Sequence, residues 1–155
     1  MSRRIGYDEP VKIGVISDTH DSLPEKVVKA MRNVDEIWHL GDVTQPWILD
    51  SLEELQVPVY VVAGNCDQNS GWPEILKLKR MGVTFLLVHI PLYLALEGVD
   101  VLLHGHTHVP RDEIVGGCRF INPGAVAGSC KGAPHGFGLM TLDEGGGIEW
   151  EQVGL

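Results

Sequence analysis

The stretch "KIGVISDTHDSLPEKVV" (12–28) decides how this chain is read. A mostly apolar run, "KIGVIS" (12–17), stops at Asp18-Thr19-His20-Asp21. Short continuous apolar runs bounded by turn signals are the pattern of strands buried on both faces. The next segment has the marks of a helix start. Ser22 fits the N-cap, Pro24 falls in the first turn, and Glu25 stands three residues on to complete a capping box. Val27, Val28 and Met31 give that helix an apolar face. A strand, a polar loop and a helix therefore follow one another.

Working outward, the unit repeats. "EIWHL" (36–40) is a second strand ending at Gly41-Asp42, and "PWILDSLEEL" (46–55) is a second helix. "PVYVVA" (58–63) is a third strand, ending at Gly64-Asn65-Cys66-Asp67. This alternation implies a parallel sheet with right-handed crossovers. The second half has another texture. "ILKLKR" (75–80) and "VTFLLVH" (83–89) form a hairpin through Met81-Gly82. A short helical stretch, "PLYLALEG" (91–98), leads to the strand in "VDVLLHG" (99–105). "RDEIV" and "CRFIN" flank Gly116-Gly117, and "FGLMTLD" and "IEWEQV" flank a glycine-rich turn. The expected fold is α/β, with a mostly parallel first sheet and a more antiparallel second one. At 155 residues it reads as a single domain, 1–155.

Composition narrows the function classes. The formal net charge is -9. An acidic chain lacks the basic footprint of a nonspecific nucleic-acid binder, and anionic membranes repel it. No run reaches the ~18 apolar residues of a membrane span. "MSRRIGYDEP" (1–10) has no apolar core behind its arginines, so it does not read as a signal peptide. The cytoplasm is the expected compartment. Cys66, Cys118 and Cys130 are odd in number and form no C-x-x-C pair. That argues against a disulfide framework and a structural zinc finger.

The chemistry lies where the strands end. Asp18 and His20 follow the first strand, Asp42 the second and Asn65 the third. His89 closes the 83–89 strand, and His106 and His108 follow "VLLHG". In α/β sheets, ligands bind beyond the carboxyl ends of parallel strands. Imidazole mixed with carboxylate suits divalent transition metals. Seven ligands are too many for one tetrahedral ion and suit two ions sharing a bridge. Asp42, on the middle of the early strands, is the natural bridge. Two divalent cations set against Asp18, Asp42 and one hydroxide leave about one net positive charge, which attracts an anion such as phosphate.

The ordered set "DTH" (18–20), "GD" (41–42), "GNCD" (64–67), His89 and "GHTH" (105–108) resembles the calcineurin-like metallophosphoesterase superfamily. Within it, the chain looks like the small single-domain phosphodiesterases of bacteria and archaea, from about residue 12 to 142. "INPGA" (121–125) is similar to that subgroup's "NPGS". The resemblance implies a four-layer αββα sandwich of two mixed sheets flanked by helices. It implies one ion held by Asp18, His20, Asp42 and His108, and another by Asp42, Asn65, His89 and His106. Manganese is the first expectation, and iron, nickel and zinc also accept these ligands. The implied reaction is hydrolysis of a small phosphate ester, a phosphodiester foremost, by a hydroxide bridging the two metals. Asp42, Asn65 and His106 carry that chemistry. A homodimer or homotetramer is the implied assembly. A long nucleic acid is not expected as substrate, while short nucleotides stay open.

The departures from the pattern are specific. Many members have a histidine directly after the asparagine; here it is Cys66, a poorer acid catalyst, which favours diesters or activated esters over monoesters. The polar loop that usually follows His89 is shortened to His89-Ile90-Pro91-Leu92, so one wall of the substrate cleft is expected to be missing or supplied by another subunit. Ala125 replaces the serine of "NPGS". The alternative function is a metal-binding protein-interaction scaffold of the same fold, as in a retromer subunit similar to this subgroup. His39 and His104 read as strand residues, not ligands. His135 reads as solvent-facing and Trp47 as packing. Asp67 either caps its segment or orients a site residue. "SCKG" (129–132) lacks the spacing of a phosphate-binding P-loop.

Overall fold

A computed structural model describes residues 9–128 and 132–155. The N-terminal arginines and Cys130 lie outside the described residues. The first half forms β1 (Val11–Ile16), α1 (Glu25–Met31), β2 (Glu36–His39), α2 (Pro46–Glu53) and β3 (Val59–Val61). Then come β4 (Ile75–Arg80), β5 (Val83–Val88), β6 (Val101–Leu103), β7 (Arg111–Val115) and β8 (Cys118–Asn122). β9 (Gly136–Leu142) and β10 (Ile148–Gly154) close the chain.

Two five-stranded sheets result, ordered β10-β9-β1-β2-β3 and β4-β5-β6-β8-β7. Both are mixed, as the resemblance implied. The finer expectation of a mostly parallel first sheet fails. Each sheet has two parallel and two antiparallel pairings, because the C-terminal hairpin returns to pair with β1. The central core lies between the sheets, where Ile13, Val15 and Trp38 of the first meet Phe85, Leu87 and Leu103 of the second. The Trp38 and Phe85 rings pack edge to face at 5.1 Å.

The outer faces differ. Both helices cover the first sheet, where Val27, Met31, Ile48 and Leu52 pack on Ile16 and Ile37. No helix covers the second sheet among the described residues. "PLYLALEG" does not form the expected helix. Its apolar side chains point outward, so no buried face rewards helix formation, and Pro91 lacks an N–H. The fourth layer is therefore irregular chain with bends and a turn, and Val99 packs on Leu86, Val88 and Phe120.

Two smaller expectations also change. Pro24, not Ser22, stands at the N-cap of α1, and no side chain caps it. The Ser22 N–H instead closes a turn on the Thr19 carbonyl at 2.9 Å. Trp47 is exposed rather than packed.

Candidate metal centre

Asp18 and His20 leave β1, Asp42 leaves β2, Asn65 leaves β3, His89 leaves β5, and His106 and His108 leave β6. These strands are parallel within each sheet, so all seven residues emerge beyond carboxyl ends. The structure brings the seven together. His108 Nε2 is 3.2 Å from Asp18 Oδ1. His89 Nε2 is 3.8 Å from that same oxygen and 3.4 Å from Asp42 Oδ2. The His20 and His108 rings lie 5.4 Å apart, and those of His89 and His106 5.2 Å. His106 Nδ1 is 3.0 Å from Asn65 Oδ1.

Donor atoms close enough to share an ion fall into two groups: Asp18, His20 and His108; and Asp18, Asp42 and His89. The carboxylate common to both in this geometry is Asp18, where the sequence pattern gave that place to Asp42. The fit to cations rests on orphaned atoms. Asp18 Oδ1, His20 Nε2 and His89 Nε2 are buried with no hydrogen-bond partner among the described residues. Buried polar atoms are nearly always paired, so converging orphans need something between them. His89 is set up for that role. Its Nδ1 faces the Leu40 carbonyl at 2.8 Å. A carbonyl only accepts, so Nδ1 carries the proton and Nε2 presents its lone pair to the site.

The backbone is held in a costly shape. Asp18, His20, Asp42, His106 and His108 all have positive φ, between 48° and 73°. Left-handed non-glycine residues cost of order 1–3 kcal/mol each and persist only where their surroundings enforce them. Asn65 is not among them. Two glycines make room for the crowding. A Cβ on Gly64 would strike Asp42, and one on Gly105 would strike Ser17 Oγ.

Several residues enforce these loops. Asp67 accepts from the backbone N–H groups of Asp42 (2.7 Å), Val43 (3.3 Å), Thr44 (2.9 Å) and Gly64 (2.8 Å). It therefore orients the site loops, one of the two roles its position allowed. His39 accepts from the Gly41 N–H at 3.1 Å through Nδ1, so its Nε2–H donates to Thr19 Oγ1 at 3.0 Å. Burial pushes His39 down to about 3, although the Asp67 charge opposes this. On the other sheet, Asn122 Nδ2 donates to Thr107 Oγ1 at 3.0 Å and to the Gly105 carbonyl at 3.3 Å. His104 Nδ1 donates to that carbonyl too, and its Nε2 accepts from Arg111 at 3.2 Å. Burial first, and the Arg111 charge with it, push His104 down to about 4. Neither His39 nor His104 belongs to the groups that could hold an ion. His135 is exposed, its Nε2 2.7 Å from the Gly128 carbonyl.

The electrostatics favour a cation. Burial alone would raise the Asp42 carboxyl, but the adjacent His89 imidazole and the bond donated by the Cys66 N–H hold it well below the carboxylate range. Burial opposes charge on His89, yet Asp42 and Asp18 together raise it. Cys66 is exposed, and its side-chain sulfur lies 3.6 Å from Asn65 Nδ2. Burial and the nearby Asp42 charge raise its thiol, so it is a reluctant thiolate.

A fold of paired sheets with histidines and carboxylates on one edge defines a class, the metal-dependent phosphoesterases. The sequence profile of the calcineurin-like phosphoesterase superfamily domain matches residues 11–145. The chain belongs to this superfamily. It is 43% identical to a probable metallophosphoesterase of Methanocaldococcus jannaschii, over 73% of this chain and 67% of that one. It is 30% identical to the phosphodiesterase YfcE of Escherichia coli, over 86% of this chain and 89% of that one. Among solved structures, an archaeal phosphodiesterase superposes with a TM-score of 0.74 at 27% identity, covering 91% of this chain and 99% of that one. Vps29 of Entamoeba histolytica, complexed with zinc, shares the fold at a TM-score of 0.75 and 21% identity, covering 93% and 99%.

Proposed function

We propose that the protein is a phosphodiesterase working with two divalent cations, manganese first among them. The observation that carries this reading is the convergence of Asp18 Oδ1, His20 Nε2 and His89 Nε2, buried and unpaired. Asp18, His20, Asp42 and His108 would hold one cation, and Asp42, Asn65, His89 and His106 the other. Asp42 is the shared carboxylate in this proposal. β2 lies between β1 and β3, so Asp42 stands between the Asp18–His20 loop and the Asn65 loop. Its backbone carbonyl accepts from His20 N at 3.1 Å, and its Oδ1 accepts from Cys66 N at 2.9 Å. Such a pair would supply charge neutralisation at phosphoryl oxygens and would make water a better nucleophile at neutral pH.

This chain's residues do the rest. Overall, water adds to phosphorus, one ester P–O bond breaks, and a monoester and an alcohol result. Asn65 and His106 are exposed at the rim and face the phosphate. Cys66, next to Asn65, offers a thiol with a raised pKa where many relatives offer an imidazole. It is a poor proton donor to a departing alkoxide, and that favours activated esters and diesters. The test is to strip the protein of metal and titrate Mn²⁺ against bis-p-nitrophenyl phosphate and p-nitrophenyl phosphate. Metal-dependent cleavage, faster on the diester, is expected. Cleavage of the monoester alone would overturn the substrate class.

A scaffold reading has one observation in its favour. Tyr93, Leu94 and Leu96 are exposed on the face that lacks a helix. Binding of two ions with no turnover of either ester would move that reading to first place.

A further inference from the structure

A cleft of about 550 Å³ opens beside the candidate metal centre. Asn65 and His89 form its inner end. One wall is the loop after β3, which runs through Gln68, Asn69 and Ser70 to Trp72. That loop is closed on itself, the Ala63 N–H donating to the Pro73 carbonyl at 2.8 Å. The opposite wall is the short segment after β5, with Ile90 and Leu92, and Ile75 at the start of β4 completes it. The shortened loop after His89 therefore does not leave the cleft without a wall. It replaces a polar wall with an apolar one.

Those apolar residues are not core. Ile75 is 62% exposed, Ile90 57% and Leu92 39%. Single exposed apolar residues need no explanation, but a contiguous set around a polar centre marks a binding groove. The charges decide what it takes. Among the described residues, no lysine or arginine lines the cleft. Away from the ligand cluster it holds two carboxylates, Asp67 and Glu74. Asp67 is occupied by four backbone N–H groups, which leaves Glu74 facing the cleft. A second anionic group on a substrate would meet Glu74 and no cation. An uncharged ring or alkyl group would lose water against Trp72, Ile75, Ile90 and Leu92.

We infer that this cleft receives one ester arm of the substrate and selects arms that are uncharged and apolar, aromatic rings above all. The inference rests on the phosphodiesterase reading and names its substrate class: phosphodiesters with a neutral aromatic or branched apolar arm, as opposed to polyanions.

The test measures binding, so it stands apart from turnover. Mn²⁺-loaded protein is titrated by calorimetry with non-hydrolysable methylphosphinates, whose methyl, butyl, phenyl, 2-naphthyl or 4-carboxyphenyl arms are joined to phosphorus through carbon. Affinity should rise at least tenfold from methyl to the aromatic arms, and the carboxylate should cancel that gain. Leu92→Ser and Ile75→Ser should each remove most of the gain. Ile114→Ser, on the exposed edge strand β7 away from the cleft, should leave it intact. Equal affinity across the arms would overturn the inference, and so would a carboxyphenyl arm that binds as well as phenyl. A gain lost equally in Ile114→Ser would do the same. Hydrolysis of bis-p-nitrophenyl phosphate by the same preparation reports on the esterase reading alone. An aromatic gain without any hydrolysis would remove that reading and leave the cleft's preference standing.

Discussion

The two sheets deliver ligands to the same edge by different means. Loops of the first sheet are tied from within, by the buried Asp67 and His39. Asp67 joins the β2 loop to the β3 loop, and His39 joins the β2 loop to the β1 loop. On the second sheet, His89 is buried and tied to the first sheet through the Leu40 carbonyl. The "GHTH" loop is different: His106 is exposed and His108 half-buried. Its braces, Asn122, His104 and Arg111, act at Gly105, Thr107 and the strand before them. The site is thus a fixed floor of Asp18, Asp42 and His89 under a looser rim of Asn65, His106 and His108. A fixed floor sets where the cations sit, and a rim that can adjust suits contact with a changing phosphoryl group.

The strongest break of this comparison is at the floor. Asp42→Asn keeps the side chain's shape and its bond from the Cys66 N–H but removes the charge. It should lower kcat on bis-p-nitrophenyl phosphate by about a thousandfold or more. It should also reduce the number of tightly bound Mn²⁺ ions below two, read by equilibrium dialysis. The variant should fold, because in the metal-free protein Asp42 and Asp18 repel one another. Near-native turnover by folded Asp42→Asn would remove Asp42 from the mechanism.

A paired comparison separates the braces. Asp67→Ala leaves four backbone N–H groups without their acceptor and should cost on the order of 3 kcal/mol in urea unfolding. Asn122→Ala removes two donated bonds from the rim loop and should cost about 1–2 kcal/mol. The metal readouts should differ in kind. Asn122→Ala should weaken Mn²⁺ binding by about 10–100-fold while the fold stands, as loss of a supporting hydrogen bond does. Equal stability losses in the two variants would end the distinction between floor and rim.

Much of this was legible in the chain, and the legible part has a common cause. Strand ends are marked by where an apolar run stops, so Asp18, Asp42, Asn65 and His89 could be placed without coordinates. Two sheets followed from the same runs, but their mixed pairing and their packing into a sandwich were implied by the resemblance alone. What could not be read is what depends on distant partners. Asp67 acts on residues 23 to 25 positions away, and no local pattern distinguishes that from a cap. The left-handed backbone at Asp18, His20, Asp42, His106 and His108 falls on types that enter that region more readily than most, but residue type alone does not say which of them do, because tertiary contacts impose it. Segment 91–98 misled for the opposite reason. Its composition is helical, but a helix needs a face to bury, and here the apolar side chains line the cleft or face water. The capping box at Ser22 was a local signal overridden by Pro24, which disfavours helical backbone at Leu23 and sets the helix start two residues later.

The smallest expected effect probes how the first sheet's loops depend on pH. His39 is fully buried and neutral, and burial pushes it down to about 3 from an ordinary 6.5. In the unfolded chain it takes a proton below about pH 6.5; in the fold it does not until about pH 3. The unfolded state therefore binds more protons across that window, and stability falls as pH falls through it. Above pH 6.5 the residue adds no pH dependence. Between pH 6.5 and 5 the loss attributable to His39 should reach up to about 2 kcal/mol. His39→Asn keeps an acceptor for the Gly41 N–H and loses the bond to Thr19 Oγ1. It should be the less stable protein at pH 8, and its stability should decline less steeply than the parent's on acidification. Urea unfolding of both proteins without metal, at pH 8, 6.5 and 5, reads the difference. Parallel declines would mean that His39 is protonated in the fold, and that the loops of the first sheet are held by a charged brace and not by the neutral one its hydrogen bonds describe.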